Sequence, residues 1–178
     1  MTPASLIFHA YNVNTEELIS AVEKNRDPKF RDLISRLRQD GIWSFPYDIF
    51  ICTQLPGKDE FYINTCRLVG VDGTDGTSLS EGMRRGRKET HELMHIFQQY
   101  FPGFKNAQIK SVASQLGVRE TRRIIGDYML TVNDLREEKS FEDNIGYSMY
   151  GWDLPDPKKP SIQPFADDEK SGFKPKVE

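Results

Sequence analysis

Residues 91–95, His91-Glu92-Leu93-Met94-His95, match the H-E-x-x-H pattern. On a helix this spacing puts two imidazoles one turn apart, able to hold Zn²⁺, with the glutamate as general base of a hydrolase. A second stretch, "SQLGVRETRRIIGDYMLT" (114–131), sets Arg119, Arg122 and Arg123 close to Glu120, Asp127 and Gln115. Arginine offers a permanently charged planar fork suited to a carboxylate, a phosphate or an anionic ring system. The same residues could equally form an ion-pair cluster, with Glu120 or Asp127 neutralising the arginines. A third, "GVDGTDG" (70–76), is glycine-rich and stands between a strand and a helix, where a nucleotide loop would be.

These groups need elements to position them. Residues 4–13 are apolar enough for a buried strand. Asn14-Thr15-Glu16-Glu17 has capping-box character and opens a helix over 15–25. Pro28 suits the first turn of the next helix, which stops at Gly41. Residues 47–55 and 60–71 form an antiparallel hairpin around a four-residue turn, 56–59. Ser78 to Glu81 caps a long helix ended by Pro102-Gly103. Residues 107–118 read as strand and turn, and 119–130 fit a strand or a helix. Thr131 caps a short helix over 132–138. The fold class is α+β: an antiparallel or mixed sheet with packed helices, forming one domain over 1–150. From residue 151 the composition shifts, with five of the ten prolines in 151–178, so this part reads as an extended or disordered tail.

Placed on the long helix, Met83, Thr90, Leu93, Met94, Phe97 and Phe101 form the apolar stripe. His91 and His95 share another line with Arg84, Lys88 and Gln98. Positive charge there opposes Zn²⁺. The extended H-E-x-x-H-x-x-G-x-x-H pattern fails at Gln98 and Phe101, which leaves only His9 and Glu120 as distant candidates for a third ligand. The motif therefore reads as two surface histidines four apart, with a zinc hydrolase using His91, Glu92 and His95 as the alternative. In "GVDGTDG" the glycines are 70, 73 and 76, not G-x-G-x-x-G, and two aspartates would repel phosphate. It reads as a tight turn and helix cap, and the chain has no dinucleotide-binding fingerprint anywhere.

With 178 residues and a net charge of −3, the chain can bury one core and shows no basic excess implying nucleic acid. Cys52 and Cys66 read as reduced thiols, or as one bridge across the hairpin. No apolar run approaches a membrane span, and the N-terminus lacks a signal-peptide pattern. A cytoplasmic protein without a membrane partner is expected.

"TPASLIFHAYNVN", "FYINTCRLVGVDGTDGTSLSEGMRRGRKE", "YFPGFKNAQIKSVASQLGVRETRRIIGDYMLTVNDL" and "FEDNI" resemble consecutive segments of the bacterial FAD-dependent oxidoreductases, some of them xanthan-lyase-like. The likeness runs from residue 2 to about 157, and R-E-T-R-R-I-x-G-[DE]-Y-x-L-T is its specific run. It implies the substrate-side domain of a glutathione-reductase-type flavoprotein, matching the middle of the family only. The G-x-G-x-x-G unit that binds FAD and the C-terminal closing segment are absent from the resemblance. The implied reaction is hydride transfer from a small organic substrate to FAD in the whole enzyme, with this part alone inactive and in need of a partner chain or a further domain. Arg119, Glu120 and Arg122 match R-E-x-R and are expected near the flavin or substrate. A non-catalytic domain with an anion site at Arg119 and Arg122 is a third reading.

Overall fold

The computed structural model describes residues 2–146. The expected tail, 151–178, lies outside the described residues. The element order is β1 (Phe8–Tyr11), α1 (Thr15–Asn25), α2 (Arg31–Gln39), β2 (Cys52–Gln54), β3 (Phe61–Ile63), α3 (Gly76–Tyr100), β4 (Gln108–Val112) and α4 (Val132–Arg136). The four strands pair in the order β2-β3-β1-β4, every pair antiparallel. The expected α+β class stands, with an antiparallel sheet.

Strand alternation explains the layering. Phe8 and Ala10 of β1 face Ile63 and Phe61 of β3, and all four are buried. His9 and Tyr62, one residue out of phase, point away from the core and are half-buried. Onto the buried face come Leu18 from α1, Ile34 and Leu37 from α2, and Leu93, Met94 and Phe97 from α3. Phe97 sits at the middle of an aromatic group, with ring centroids 4.7 to 5.5 Å from Phe101, Phe50 and Phe104. Tilted and edge-on rings at these distances add to the burial of their area.

Two close approaches need glycine. At Gly86 an added Cβ would lie 2.9 Å from Leu6 Cδ2 and 3.0 Å from Leu68 Cδ1, so the missing side chain lets α3 press on the strand region. Gly103 follows α3 with φ +83, and an added Cβ would stand 2.6 Å from the Asn14 carbonyl. Its own carbonyl accepts from Asn14 N–H at 2.8 Å, tying the end of α3 to the start of α1.

Several expected boundaries move. The 4–13 strand is regular only over β1, with single bridges from Ala4 to Leu68 and Ser5 to Gly117 before it. Pro28 lies outside α2, because Phe30 takes a left-handed conformation (φ 51) and the helix starts at Arg31. The hairpin is real but short. Residues 47–51 leave the ladder, since the Tyr47 carbonyl accepts from Trp43 Nε1 at 2.7 Å and from the Arg38 guanidinium at 2.9 Å. The cap of α3 is Asp75, not Ser78; Asp75 accepts from Thr77 and Ser78 N–H at 3.0 and 3.2 Å. Residues 119–130 are neither strand nor helix. Thr131 does cap α4, in a capping box completed by Asp134. Both cysteines are free thiols, and burial pushes Cys52 up to about 11. Among the described residues no helix is long and apolar enough to cross a membrane.

Candidate functional site

The structure brings together two of the three stretches singled out by residue type. The 72–75 loop and the start of the arginine segment meet beside the N-terminal residues. Ser5 and Gly117 exchange backbone hydrogen bonds of 3.0 and 2.8 Å, which fixes where residues 117 onward leave the sheet. Gly73 then makes room for the next residues: an added Cβ would stand 2.5 Å from Val118 Cγ1 and 2.7 Å from Thr121 Cγ2. Glu120 closes the junction by accepting from Thr2 N–H at 2.8 Å, and it reaches Arg123 at 3.5 Å.

Electrostatics are set by these contacts. The Thr2 amide, with Arg123 adding to it, holds the Glu120 carboxyl below the usual carboxylate range. Asp72 accepts from the Thr74 hydroxyl at 2.7 Å and from its N–H at 2.8 Å. Those bonds lower its pKa, and the Arg122 guanidinium lowers it further. Both carboxylates are thus acceptors held charged at neutral pH. Neither has the raised pKa of a general acid. Arg119, Arg122 and Arg123 are exposed, and of the expected ion-pair cluster the Glu120–Arg123 pair forms, at the surface. What this junction offers a ligand is cationic guanidinium groups on an anchored base.

The histidine motif is elsewhere. His91, Glu92 and His95 are all exposed on α3, while Thr90, Leu93, Met94, Ile96 and Phe97 are buried. Glu92 pairs with Lys88 at 3.6 Å, and His95 Nε2 lies 2.8 Å from Gln99 Nε2. His9 is in β1, 2.9 Å from Glu60 Oε2. Among the described residues, no group of three His, Cys, Asp or Glu side chains is arranged to hold a metal ion. We expect His91→Ala to change unfolding free energy by no more than about 0.5 kcal/mol, as for other exposed sites. Stoichiometric zinc in the purified protein, lost in that variant, would contradict this reading.

A polar cleft of about 690 Å³ opens between the start of α1 and the β2–β3 turn, lined among others by Asn12, Asn14, Lys58 and Asp59. It contains none of the candidate site residues of the histidine motif or the arginine segment.

A family model described as FAD dependent oxidoreductase matches residues 5–175. The chain belongs to the FAD-dependent oxidoreductase family. No curated protein and no solved structure matches it. The family description implies FAD use among its members, so the residues here can be tested against that cofactor. A dinucleotide pyrophosphate needs free N–H groups at a helix start that succeeds a parallel strand. The described sheet is wholly antiparallel. The first turn of α1 is capped by Asn14 and carries Glu16 and Glu17. At the start of α2 the N-cap residue Phe30 makes no side-chain cap, but the Asp27 carboxylate stands against it and accepts from Lys29 and Asp32 N–H at 3.1 and 3.3 Å. The start of α3 is taken by Asp75. The described residues therefore do not fit the FAD pyrophosphate. Residue type alone points to Arg119, Glu120 and Arg122 and shows Gly73 as a turn glycine, but not that Thr2, Ser5, Gly73 and Gly117 hold the base of the arginine segment. The paired glycines of the two stretches were the available signal.

Proposed function

We propose that this chain is the substrate-side part of an FAD-dependent oxidoreductase of the glutathione-reductase fold type, in the xanthan-lyase-like branch. It works with a partner chain or further domain that carries the FAD-binding unit, and by itself it is inactive. In the assembled enzyme a small organic substrate is oxidised, with flavin as hydride acceptor. The flavin carries that chemistry, and the protein supplies position and charge. Arg119, Glu120 and Arg122, on the base anchored by Thr2, Ser5 and Gly73, face the junction with the FAD-binding part. The observation that carries the proposal is the family match over 5–175 on a fold whose α1 and α3 starts are capped by Asn14 and Asp75 and whose α2 start has the Asp27 carboxylate against it.

The test joins the chain with a separately produced FAD-binding part of a family member. Anaerobic bleaching of the flavin is followed across a panel of small organic substrates. Bleaching is expected only when both parts are present. Gly73→Ala should lower its rate about a hundredfold, because Val118 and Thr121 must move and misplace the arginines by about 1 Å. Bleaching untouched by Gly73→Ala would remove the junction from the site. No bleaching in any combination would contradict the proposal.

A further inference from the structure

Beyond its anchored base and Arg122, the arginine segment ends in an apolar run, from Ile124 on, that the proposed function does not use. Ile124 and Ile125 are 94% and 91% exposed, and Met129 and Leu130 beside them are more than half exposed. Such a run of open apolar side chains marks an interaction surface. Among the described residues, no backbone hydrogen bond joins 121–130 to any strand. The stretch is rich in β-branched residues (Thr121, Ile124, Ile125), which favour strands. Adjacent residues of a strand face opposite ways, so Ile124 and Ile125 cannot both be covered by one flat surface. A sheet edge with side chains above and below it covers both.

The sheet has two edges. β2 is three residues long, and short edge strands resist pairing. β4 is five residues long, with Ile109 and Val112 half-buried along it. Its only charged residue is Lys110, the type that usually guards an edge. Here the Lys110 ammonium leans back across β1 to Glu60, donating to Oε1 at 2.7 Å. The guard is thereby turned from the edge and neutralised. Among the described residues, one molecule thus holds an unpaired strand-like segment and an unguarded edge strand of similar length.

We propose that residues 121–126 of one copy add as a strand to the β4 edge of a second copy, reciprocally, giving a two-fold dimer. Reciprocal exchange closes the assembly at two chains, because each copy supplies one segment and one edge. This does not depend on the oxidoreductase reading.

The test is light scattering over a dilution series, with hydrogen exchange read at the same concentrations. We expect twice the chain mass at high concentration, with the amides of 121–126 and 108–112 becoming protected together as the dimer forms. Ile124→Asp combined with Ile125→Asp should weaken the dimer at least ~100-fold, since charges would enter an apolar contact. Ile124→Val with Ile125→Val should keep it. Monomer at every concentration overturns the proposal. So does a dimer undiminished in the aspartate variant, or one in which β4 stays unprotected. Protection of both segments in a monomer, independent of concentration, assigns the occupant to the same chain and also overturns it.

Discussion

Phe97→Ala should lower the unfolding free energy by about 3–5 kcal/mol, the largest loss expected from a single truncation on α3. Phe97 is fully buried and lies between Phe50, Phe101 and Phe104. These come from the segment before β2, from the end of α3 and from the turn after it. Removing the ring leaves a cavity where three segments meet, and all three are held by other contacts, so the space cannot simply collapse. Trp43 and Tyr47 keep the Phe50 segment in place through the Trp43 Nε1 bond to the Tyr47 carbonyl. Gly103 holds the end of α3 against α1. Against a total of roughly 5–15 kcal/mol for an ordinary domain, the loss would take much of the stability. Urea unfolding should show a lower midpoint at nearly unchanged slope. A midpoint equal to that of the unsubstituted chain would mean that the aromatic group is not the core.

Near-neutrality of His91→Ala, on the same helix, is the counterpart of that loss. The two predictions separate the buried and exposed faces of α3, and this separation was legible in the sequence. Thr90, Leu93, Met94 and Phe97 recur at helical spacing, and all are buried. α1 was equally plain, because Asn14 caps it locally, accepting from Glu17 N–H at 3.1 Å. The errors fell where two local choices competed. Asp75 and Ser78 both suit a helix cap, but the Asp75 carboxylate takes two amides while the Ser78 hydroxyl accepts from Asp72 N–H. Residues 47–51 have strand composition, yet side chains of Trp43 and Arg38 occupy carbonyls that a neighbouring strand would have used.

The candidate site was half legible. Arg119, Glu120 and Arg122 stand out by type and spacing, as does the 72–75 loop as a turn and cap. Their meeting does not. It depends on Glu120 reaching Thr2 across 118 positions, on the Ser5–Gly117 bridge and on the space at Gly73. Contacts between residues so far apart leave no periodicity in the sequence. What the sequence does carry is the pair of glycines, Gly73 and Gly117, that permits the approach.

The second large effect concerns the cofactor. FAD binding in dinucleotide folds draws much of its specificity from pyrophosphate at a helix N-terminus. In this chain Asp75 already accepts two amides that open α3, Asp27 accepts the Asp32 amide in the first turn of α2, and Glu16 and Glu17 crowd the start of α1. A pyrophosphate at any of the three would displace a hydrogen bond and meet a like charge, and charge repulsion at such a site is worth several kcal/mol. Arg119 and Arg122 are exposed, but guanidinium groups do not replace backbone amides at a helix start. The chain belongs to a family whose description names FAD, yet its described residues do not hold the cofactor's phosphates. The two are reconciled by the proposal that the phosphate site lies on a different polypeptide part.

Titration of the purified chain with FAD, tracked by flavin fluorescence quenching, tests that claim most directly. Colourless protein is expected, with no saturable quenching up to on the order of 100 µM FAD, weaker than about −5.5 kcal/mol of binding. A yellow preparation, or quenching that saturates at one FAD per chain in the low micromolar range, would contradict it.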